Sequence, residues 1–376
     1  MTGTAAPPKR PLKRGWTTGS CATAAAGAAY ELLMTGNCPA VVEIALPGGR
    51  RVTFAIAMHE AGGASATAGV VKDAGDDPDV THGALIKASV RRGADGSGIT
   101  FRAGPGVGTV TKPGLPLPPG EPAINPVPRA MITTAIDEAA ARLGTTRDVI
   151  VELSIPGGED LAKKTMNPRL GIVGGLSILG TTGVVVPFSC AAWIHSIYRG
   201  IDVARATGLP HIAGATGSTS EKAVQQLYDL PEAALIDMGD FVGGMLKYLR
   251  RYPVGRVTVA GGFAKMTKLG QGLLDLHSRA GEVDLGWLAN TLHEAGAPDT
   301  LVETTRHANT ALQVLQNSAR AAFPAGQVVA QAAWATARSA LGNNEIALDI
   351  AVFDRDGRLV GQHGGPVHSP LPRKRL

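Results

Sequence analysis

The sequence predicts an α+β fold for the first half of the chain and an α/β fold with a parallel sheet for the second half. The chain has 376 residues, more than one hydrophobic core usually organises, so two domains are expected. In the first half, two alanine-rich helical stretches each lead into a strand ending at Pro-Gly-Gly. From about residue 196, short apolar runs alternate with helical stretches, which is the order of βα units.

Five segments define the predicted first domain. A helix is expected over Ala22 to Leu33, followed by a strand and turn in VEIALPGG at 42–49. Arg51 to Ala57 returns as the second strand of a hairpin. A second helix, Met131 to Leu143, precedes VELSIPGG at 151–158. The similarity of the two helix and strand pairs suggests a pseudo-repeat.

The predicted first helix begins after TTGSC, with Thr17, Thr18 and Ser20 at its start. The first amide groups of a helix lack internal partners and carry the positive end of the dipole, so this start can hold a carboxylate or phosphate. Simple N-capping by the same hydroxyl groups is the alternative. The local sequence leaves both open.

Two loops lie between the predicted helices. The segment KDAGDDPDVTHG at 72–83 concentrates acids and one histidine, which can bind a divalent cation, position a proton or simply form a turn. It lacks the terminal Glu of an EF-type calcium loop. The proline-rich segment from Gly104 to Arg129 is long for a connection, so we expect an ordered loop that lines a site.

In the second half, the predicted strands cover His211 to Ala213, Ala233 to Ile236, Arg256 to Ala260 and Ile346 to Phe353, and helices start near Ser218, Asp240, Lys265, Leu285 and Thr300. Loops rich in Gly and Thr recur at the ends of elements, at 180–183, 214–217 and 261–262. Ser218 and Glu221 have capping-box spacing. Asp237 follows the second strand, where nucleotide-binding α/β domains place an acid for ribose hydroxyls.

The charge distribution and the cysteines indicate which classes of partner and which cellular compartment to expect. The formal net charge is +5, part of it in the two tails, and no continuous basic stripe with stacking aromatics indicates nucleic acid. No apolar run is long enough for a membrane span, and the N-terminus has no secretory pattern. The three cysteines have no metal-ligand spacing and cannot all pair. We therefore expect a cytoplasmic protein without nucleic-acid or membrane partners and without a metal site.

Taken together, these segments resemble the cobalt-precorrin-5B methyltransferase (CbiD) family of the anaerobic cobalamin pathway. The resemblance is carried, in order along nearly the full chain, by TTGSCATAAA at Thr17, KDAGDDPDVTHG at Lys72, GVGTVTKPGLPLPPGEPAINPVPRAMI at Gly106, GIVGGLSILGTTGVVVPFS at Gly171 and GDFVGGML at Gly239. Val186 and Phe188 depart from the family, where GTTGIVEPMS is common. This departure puts any charged role at Val186 in doubt.

The resemblance implies transfer of a methyl group from S-adenosylmethionine to carbon 1 of cobalt-precorrin-5B, giving cobalt-precorrin-6A in cobalamin biosynthesis. It implies a corrinoid-binding α+β domain of the ribosomal protein S5 domain 2-like type at 1–192 and a Rossmann-like α/β domain at 193–376. No covalent enzyme intermediate is required, so Cys21 is not expected to act as a nucleophile. The sequence leaves open the oligomeric state, a homo-oligomer included, and whether the bound ring carries cobalt.

Three sets of site residues follow from this resemblance and the motifs. S-adenosylmethionine is expected at Gly180, Thr181, Thr182, Gly183, Gly214, Thr216, Gly217 and Asp237. The corrinoid carboxylates call for cations and helix starts, and the candidates are Thr17, Thr18, Ser20, Lys72, Lys112 and Arg129. The candidates for ordering the acid-rich loop or managing a proton are Asp73, Asp76, Asp77 and His82.

Two other functions fit part of the pattern. Domains of the S5 type with Gly-rich loops also occur in small-molecule kinases, where the loops hold ATP, although the chain lacks a convincing Lys-Ser/Thr phosphate loop. A non-catalytic carrier would bind the corrinoid but not S-adenosylmethionine. The nucleoside that stabilises the protein distinguishes the three functions.

Overall fold

The computed structural model describes residues 11–342 and 345–365, and the chain divides between Ser189 and Cys190 into two units. Both units combine helices with sheets, so the protein is a mixed α/β protein. Within the described residues, no helix is both long and apolar enough to cross a membrane.

The first unit combines two long helices with one main sheet and several short strand pairs. Its helices are α1 (Thr18–Thr35), α2 (Pro126–Leu143) and α3 (Gly158–Ala162). Its strands are β1 (Gly15–Trp16), β2 (Val41–Ala45), β3 (Arg51–Ala55), β4 (Met58–Gly62), β5 (Ser65–Val71), β6 (Leu85–Arg92), β7 (Ile99–Ala103), β8 (Gly106–Val107), β9 (Thr109–Val110), β10 (Val149–Ser154), β11 (Ile172–Val173), β12 (Gly175–Leu176) and β13 (Val184–Val185).

The main sheet of the first unit has the order β4-β5-β6-β10-β7. All neighbouring strands in it are antiparallel except β10 and β7, which are parallel. Helix α1 packs on β5, β6 and α2, and its residues from Thr18 to Tyr30 are all buried. Its many alanines make this possible, because small side chains let a helix be enclosed on every side.

The expected pseudo-repeat extends only to a helix followed by a strand. Strand β2 continues through its Pro-Gly-Gly turn into the two-stranded hairpin with β3. Strand β10 instead lies inside the main sheet, and its Pro-Gly-Gly turn leads into α3. The two similar segments therefore have different partners, which local sequence cannot specify.

The second unit is built on one five-stranded sheet. Its strands are β14 (His211–Ala215), β15 (Leu235–Asp237), β16 (Arg256–Gly262), β17 (Ala347–Phe353) and β18 (Leu359–His363). Its helices are α4 (Cys190–Ala206), α5 (Ser218–Tyr228), α6 (Val242–Arg251), α7 (Phe263–Gly270), α8 (Leu285–Glu294), α9 (Asp299–Arg306), α10 (Ala311–Arg320) and α11 (Ala325–Leu341), with a 3₁₀ turn at Glu232–Ala234.

The strand order in this sheet is β15-β14-β16-β17-β18, with the first four parallel and β18 antiparallel. Counted from the first strand of the unit, this is 2-1-3-4-5, one of the two common doubly wound orders. Such an order has a switch point between its first and third strands, here β14 and β16. In sheets of this kind the loops that leave these two strands diverge at the switch point and form a crevice.

The predicted capping box at the start of α5 is wrong. The N-cap is Gly217, in extended backbone and with no side-chain cap, and Ser218 is already the first helical residue. The glycine occupies the position that the Ser218 hydroxyl would need in order to cap the first turn.

Candidate functional site

The carboxyl ends of three parallel strands of the second unit lie side by side. Ala215 of β14 is in register with Asp237 of β15 on one side and with Ala260 of β16 on the other. The predicted residues Thr216 and Asp237 therefore lie at one edge of the sheet. In open α/β sheets this edge, at the switch point, is where ligands bind.

Two glycines leave this edge open. Gly217 begins α5 and Gly262 begins α7, and neither helix has a side-chain cap. A Cβ atom added at either glycine would meet no atom within 4 Å. Because uncapped first turns present amide donors and the dipole's positive end, the two starts suit the polar groups of a ligand.

Lys265 connects the loops that follow β14 and β15 at this edge of the sheet. Its Nζ donates to the carbonyl oxygen of Thr216 at 2.8 Å and lies 3.0 Å from Oδ1 of Asp240, in the loop after β15. One side chain on α7 thereby fixes the turns that follow two other strands. Neither Lys265 nor Asp240 was predicted as a site residue, and the available signal was a lysine just after a strand that ends in Gly-Gly.

Gly214 is not part of the open edge. It is buried within β14, and a Cβ atom there would lie 2.3 Å from Sδ of Met245 and 3.0 Å from Sδ of Met238. This glycine makes room for helix packing against the strand. Gly214 therefore has a packing role, and its predicted contact with S-adenosylmethionine stays a prediction.

The start of α1 in the first unit is capped and buried. Oγ1 of Thr17 accepts the amide of Ser20 at 3.2 Å, and the Ser20 hydroxyl donates to the carbonyl of Gly183 at 2.8 Å. The amide of Gly19 donates to the carbonyl of Leu179 at 3.0 Å. Thr17, Thr18 and Ser20 are all buried. The N-capping alternative is therefore correct, and the amides expected to be bare at Gly19 and Ser20 are bonded within the protein.

The loop at 180–183 is shaped by these contacts. A Cβ atom at Gly180 would lie 2.3 Å from Oγ1 of Thr17, and one at Gly183 would lie 2.6 Å from Cδ2 of Leu46. The two glycines therefore allow the loop to lie against α1. Thr181 and Thr182 between them are exposed, so the threonines are the members of this motif that can reach a ligand.

Lys72 forms a buried ion pair. Its side chain is 1% exposed, and Nζ lies 2.6 Å from Oδ2 of Asp79. Burial by itself would raise the pKa of Asp79, but hydrogen bonds from Lys72 and Thr81 hold that pKa below its ordinary value. The pair anchors the acid-rich loop from inside, so Lys72 does not present its charge at the surface as a substrate ligand would.

The other acids of the loop hold neighbouring backbone. Asp73 accepts hydrogen bonds from Nζ of Lys13 and from the amide of Gly75, and these bonds hold the pKa of Asp73 below its ordinary value. Asp76 accepts the amide of Lys13 at 2.6 Å. Asp77 accepts the amide of Phe188 at 2.9 Å. Each of the three carboxylates therefore orders a segment outside its own loop or a turn within it.

His82 is exposed at the surface of the acid-rich loop. Its side chain is 56% exposed, and its Nδ1 accepts the amide of Ala74 at 3.1 Å. Because Nδ1 is an acceptor, the neutral ring carries its proton on Nε2. Within the described ranges, no group of three or more His, Cys, Asp or Glu side chains is arranged to hold a metal ion.

Arg129 and Lys112 differ in whether their charged groups already have partners within the protein. The Arg129 guanidinium donates to the carbonyl of Ile124 at 2.8 Å and to the carboxylate of Glu121 at 2.8 Å, and it lies over the ring of Phe101. It therefore holds the loop ahead of α2. Lys112 is half-buried beside Gly171, and among the described residues its ammonium group has no hydrogen bond or ion pair.

The second unit has a doubly wound sheet with glycines at its switch point, and α/β proteins with such sheets commonly bind small ligands at that edge. Comparison with known proteins identifies the family. The CbiD family model matches residues 5–187, and the CbiD C-terminal domain model matches residues 275–364. The chain belongs to the CbiD family, and the resemblance drawn from its motifs is confirmed.

Similar proteins cover the whole chain. A protein of Bradyrhizobium sp. strain BTAi1 named cobalt-precorrin-5B C(1)-methyltransferase is 82% identical over 375 residues, spanning 100% of both chains. One of the same name from Agrobacterium fabrum is 62% identical, covering 96% of each chain. The 1.9 Å crystal structure of the cobalamin biosynthesis protein CbiD from Archaeoglobus fulgidus is 30% identical, covers 69% of this chain and 79% of that chain, and gives a TM-score of 0.39.

Proposed function

We propose that this protein is a cobalt-precorrin-5B C(1)-methyltransferase of cobalamin biosynthesis. It transfers a methyl group to carbon 1 of the corrinoid ring, giving cobalt-precorrin-6A. The observation that carries this function is the 82% identity, over the whole of both chains, to a relative with that name. The enzyme is therefore a C-methyltransferase that acts on a small-molecule corrinoid.

The proposed methyl donor is S-adenosylmethionine, bound in the second unit at the switch point. Its sulfonium supplies an activated methyl group. The open glycine starts of α5 and α7 fit the polar groups of such a ligand. Asp237 lies at the end of β15 and is the proposed acceptor of hydrogen bonds from the ribose hydroxyls. Thr216 lies in the turn between β14 and α5, and its carbonyl oxygen accepts a hydrogen bond from Lys265.

The proposed corrinoid site lies in the first domain, taken as 1–192. The acetate and propionate groups of the ring call for cations and hydroxyl groups. Lys112 is partly exposed and is the proposed direct contact. Thr181 and Thr182, which are exposed, stay predicted contacts of S-adenosylmethionine. The remaining candidates are proposed to act indirectly by fixing loops. Thr17, Ser20, Lys72 and Arg129 do so through the bonds described above, and Thr18 through its burial.

The chain's own contribution to the reaction is positioning and exclusion of water. A methyl transfer needs the ring carbon in line with the sulfonium methyl, and such alignment supplies much of the acceleration. Asp73, Asp76 and Asp77 are proposed to act as positioning residues because each carboxylate holds backbone. His82, with its proton on Nε2, is proposed as the group that manages a proton on the substrate.

The function is tested by calorimetric titration with S-adenosylmethionine and, separately, with ATP, followed by mass spectrometry of a cobalt-precorrin-5B incubation. The proposal predicts binding of S-adenosylmethionine, no stabilisation by ATP and a product one methyl group heavier. ATP binding alone would instead support a kinase-like enzyme. Corrinoid binding without either nucleoside would support a carrier.

The donor site is tested by replacing Lys265. Lys265→Met removes the bond to the Thr216 carbonyl and the ion pair with Asp240, so affinity for S-adenosylmethionine should fall by about tenfold. Asp237→Ala should also weaken binding. Lys247→Met, at an exposed position on α6, is the matched control and should bind as the wild type does. Unchanged affinity in both site variants would place the donor elsewhere.

A further inference from the structure

An aromatic side chain stands beside Asp237 at the edge of the sheet. Trp193, in the first turn of α4, is 45% exposed. Its indole Nε1 donates to the carbonyl oxygen of Asp237 at 3.0 Å. A single exposed aromatic residue is common on protein surfaces. Trp193 is distinguished by its fixed position beside Asp237, the residue proposed to bind the ribose.

The orientation of the indole is set from two directions. The hydrogen bond to the Asp237 carbonyl holds its nitrogen edge. The backbone of Gly239 lies against the ring, because a Cβ atom there would be 3.2 Å from Cζ2 of Trp193, and the φ of Gly239 is +52°. Side chains other than glycine rarely adopt that backbone. The ring is therefore held in place before a ligand arrives, so stacking on it orders little additional structure.

The position of Trp193 identifies what it would contact. Strand β15 is the outer strand beside β14, and in doubly wound sheets the acid at the end of this second strand binds the ribose. The base attached to that ribose then extends past the strand end, where the indole lies. Trp193 offers an apolar, polarisable surface there, and planar bases stack on such surfaces.

We propose that Trp193 is the stacking surface for the adenine ring of the adenosyl methyl donor. This inference rests on the proposed function and adds a residue and a contact to the donor site. It assigns the base to Trp193, the ribose to Asp237 and the polar tail to the glycine starts of α5 and α7.

The experiment measures binding of S-adenosylhomocysteine and of adenosine by calorimetry and by tryptophan fluorescence. Trp193→Leu should weaken both ligands by roughly tenfold, as loss of one base-stacking contact does. Trp193→Phe keeps an aromatic face and should retain most of the affinity. Adenosine should also change the fluorescence of the wild type, and this change should be absent in Trp193→Phe, which keeps the other three tryptophans.

Tyr252→Leu is the control. Tyr252 is 41% exposed and follows the far end of α6, so its loss should leave adenosine affinity unchanged. Equal weakening of the Leu and Phe variants would mean that the indole N–H bond, and not stacking, matters, and would overturn the inference. Unchanged affinity in Trp193→Leu would overturn it while leaving the donor intact. No binding of S-adenosylhomocysteine to the wild type would overturn the donor assignment together with the stacking role.

Discussion

At the scale of single residues, Cys21 is the side chain whose chemistry the structure decides most clearly. It follows the capped start of α1 and is 0% exposed. Burial raises the pKa of its thiol to about 12, and the nearby charge of Lys72 offsets only part of this effect. The thiol therefore stays protonated at neutral pH, and a protonated, buried thiol is not a nucleophile.

We predict that Cys21→Ala keeps methyltransferase activity. The replacement removes one buried sulfur atom, so a modest fall in melting temperature is expected from the small cavity. Product formation followed by mass spectrometry, with circular dichroism to verify folding, checks the prediction. A folded but inactive variant would contradict it. Cys190→Ala, at an exposed position, is the control for loss of a thiol.

The sequence could indicate site residues by type but not by what their side chains face. The motif at Thr17 was placed correctly at a helix start, yet Oγ1 of Thr17 caps that start and the Ser20 hydroxyl bonds to Gly183. Lys72 has the charge that a carboxylated substrate requires, yet it is buried against Asp79. The Gly183 partner of Ser20 is distant in sequence, and the partner of Lys72 lies within its own loop, where the residue pattern does not show which side chains are buried. Trp193 lay outside every glycine or acid motif, and its partner Asp237 is also distant in sequence.

At the scale of elements, the short strand β1 joins the acid-rich loop to the strand that follows the 180–183 loop. On one side it pairs with β13, with Gly15 opposite Val185. On the other side the amide of Trp16 donates to the carbonyl of Asp73 at 2.8 Å. The strand therefore lies between the acid-rich loop and the strand that follows Gly183. This close approach is possible because Gly15 has no side chain, so the backbones of β1 and the acid-rich loop can come into contact.

We predict that Gly15→Ala destabilises the first unit. The added Cβ atom would lie 2.1 Å from the carbonyl carbon of Ala74, so β1 or the acid-rich loop must move. Overpacking of this kind typically costs about 1–3 kcal/mol. Urea unfolding measures the cost. Gly48→Ala is the control, because a Cβ atom there meets nothing within 4 Å. Equal stability of the two variants would refute the prediction.

The success of element prediction followed the strength of the local signal. The four buried strands predicted in the second half all form, because continuous apolar runs between helical stretches have few other uses. Strands β4, β5, β6 and β7 were not predicted. The residues of β4 are mostly exposed at the edge of the sheet, and β5 and β6 were missed although several of their residues are buried. Sheet order was also out of reach, because it depends on pairings between segments far apart in sequence.

At the scale of the whole molecule, the second sheet carries a polar cluster at the end opposite its glycine loops. Nε2 of His211 lies 2.8 Å from Oγ1 of Thr258, and Arg256 pairs with the fully buried Asp349. Burial, together with the charge of Arg256, lowers the pKa of His211 to about 4 from its ordinary value of 6.5. The folded protein therefore holds this histidine neutral.

We predict that stability falls between pH 6.5 and pH 4. In that range the unfolded chain binds a proton at His211 and the folded chain does not, so acid favours unfolding by up to about 1.4 kcal/mol per pH unit. Denaturant unfolding at several pH values should show this slope reduced in His211→Gln. The slope should be unchanged in His277→Gln, which alters an exposed histidine. If the free energy of unfolding of His211→Gln depended on pH as that of the wild type does, His211 would be excluded as the cause.

The hydrogen bonds around β1 also make cleavage of the peptide bond after Arg14 a measure of local opening. Arg14, just before β1, bridges to Gly75, and both backbone groups of Lys13 bond to Asp76. Trypsin cleaves after such basic residues only where the backbone can leave its neighbours and enter the protease. Digestion after Arg14 therefore requires this edge to open, and its rate records how firmly the acid-rich loop is closed on the body of the enzyme.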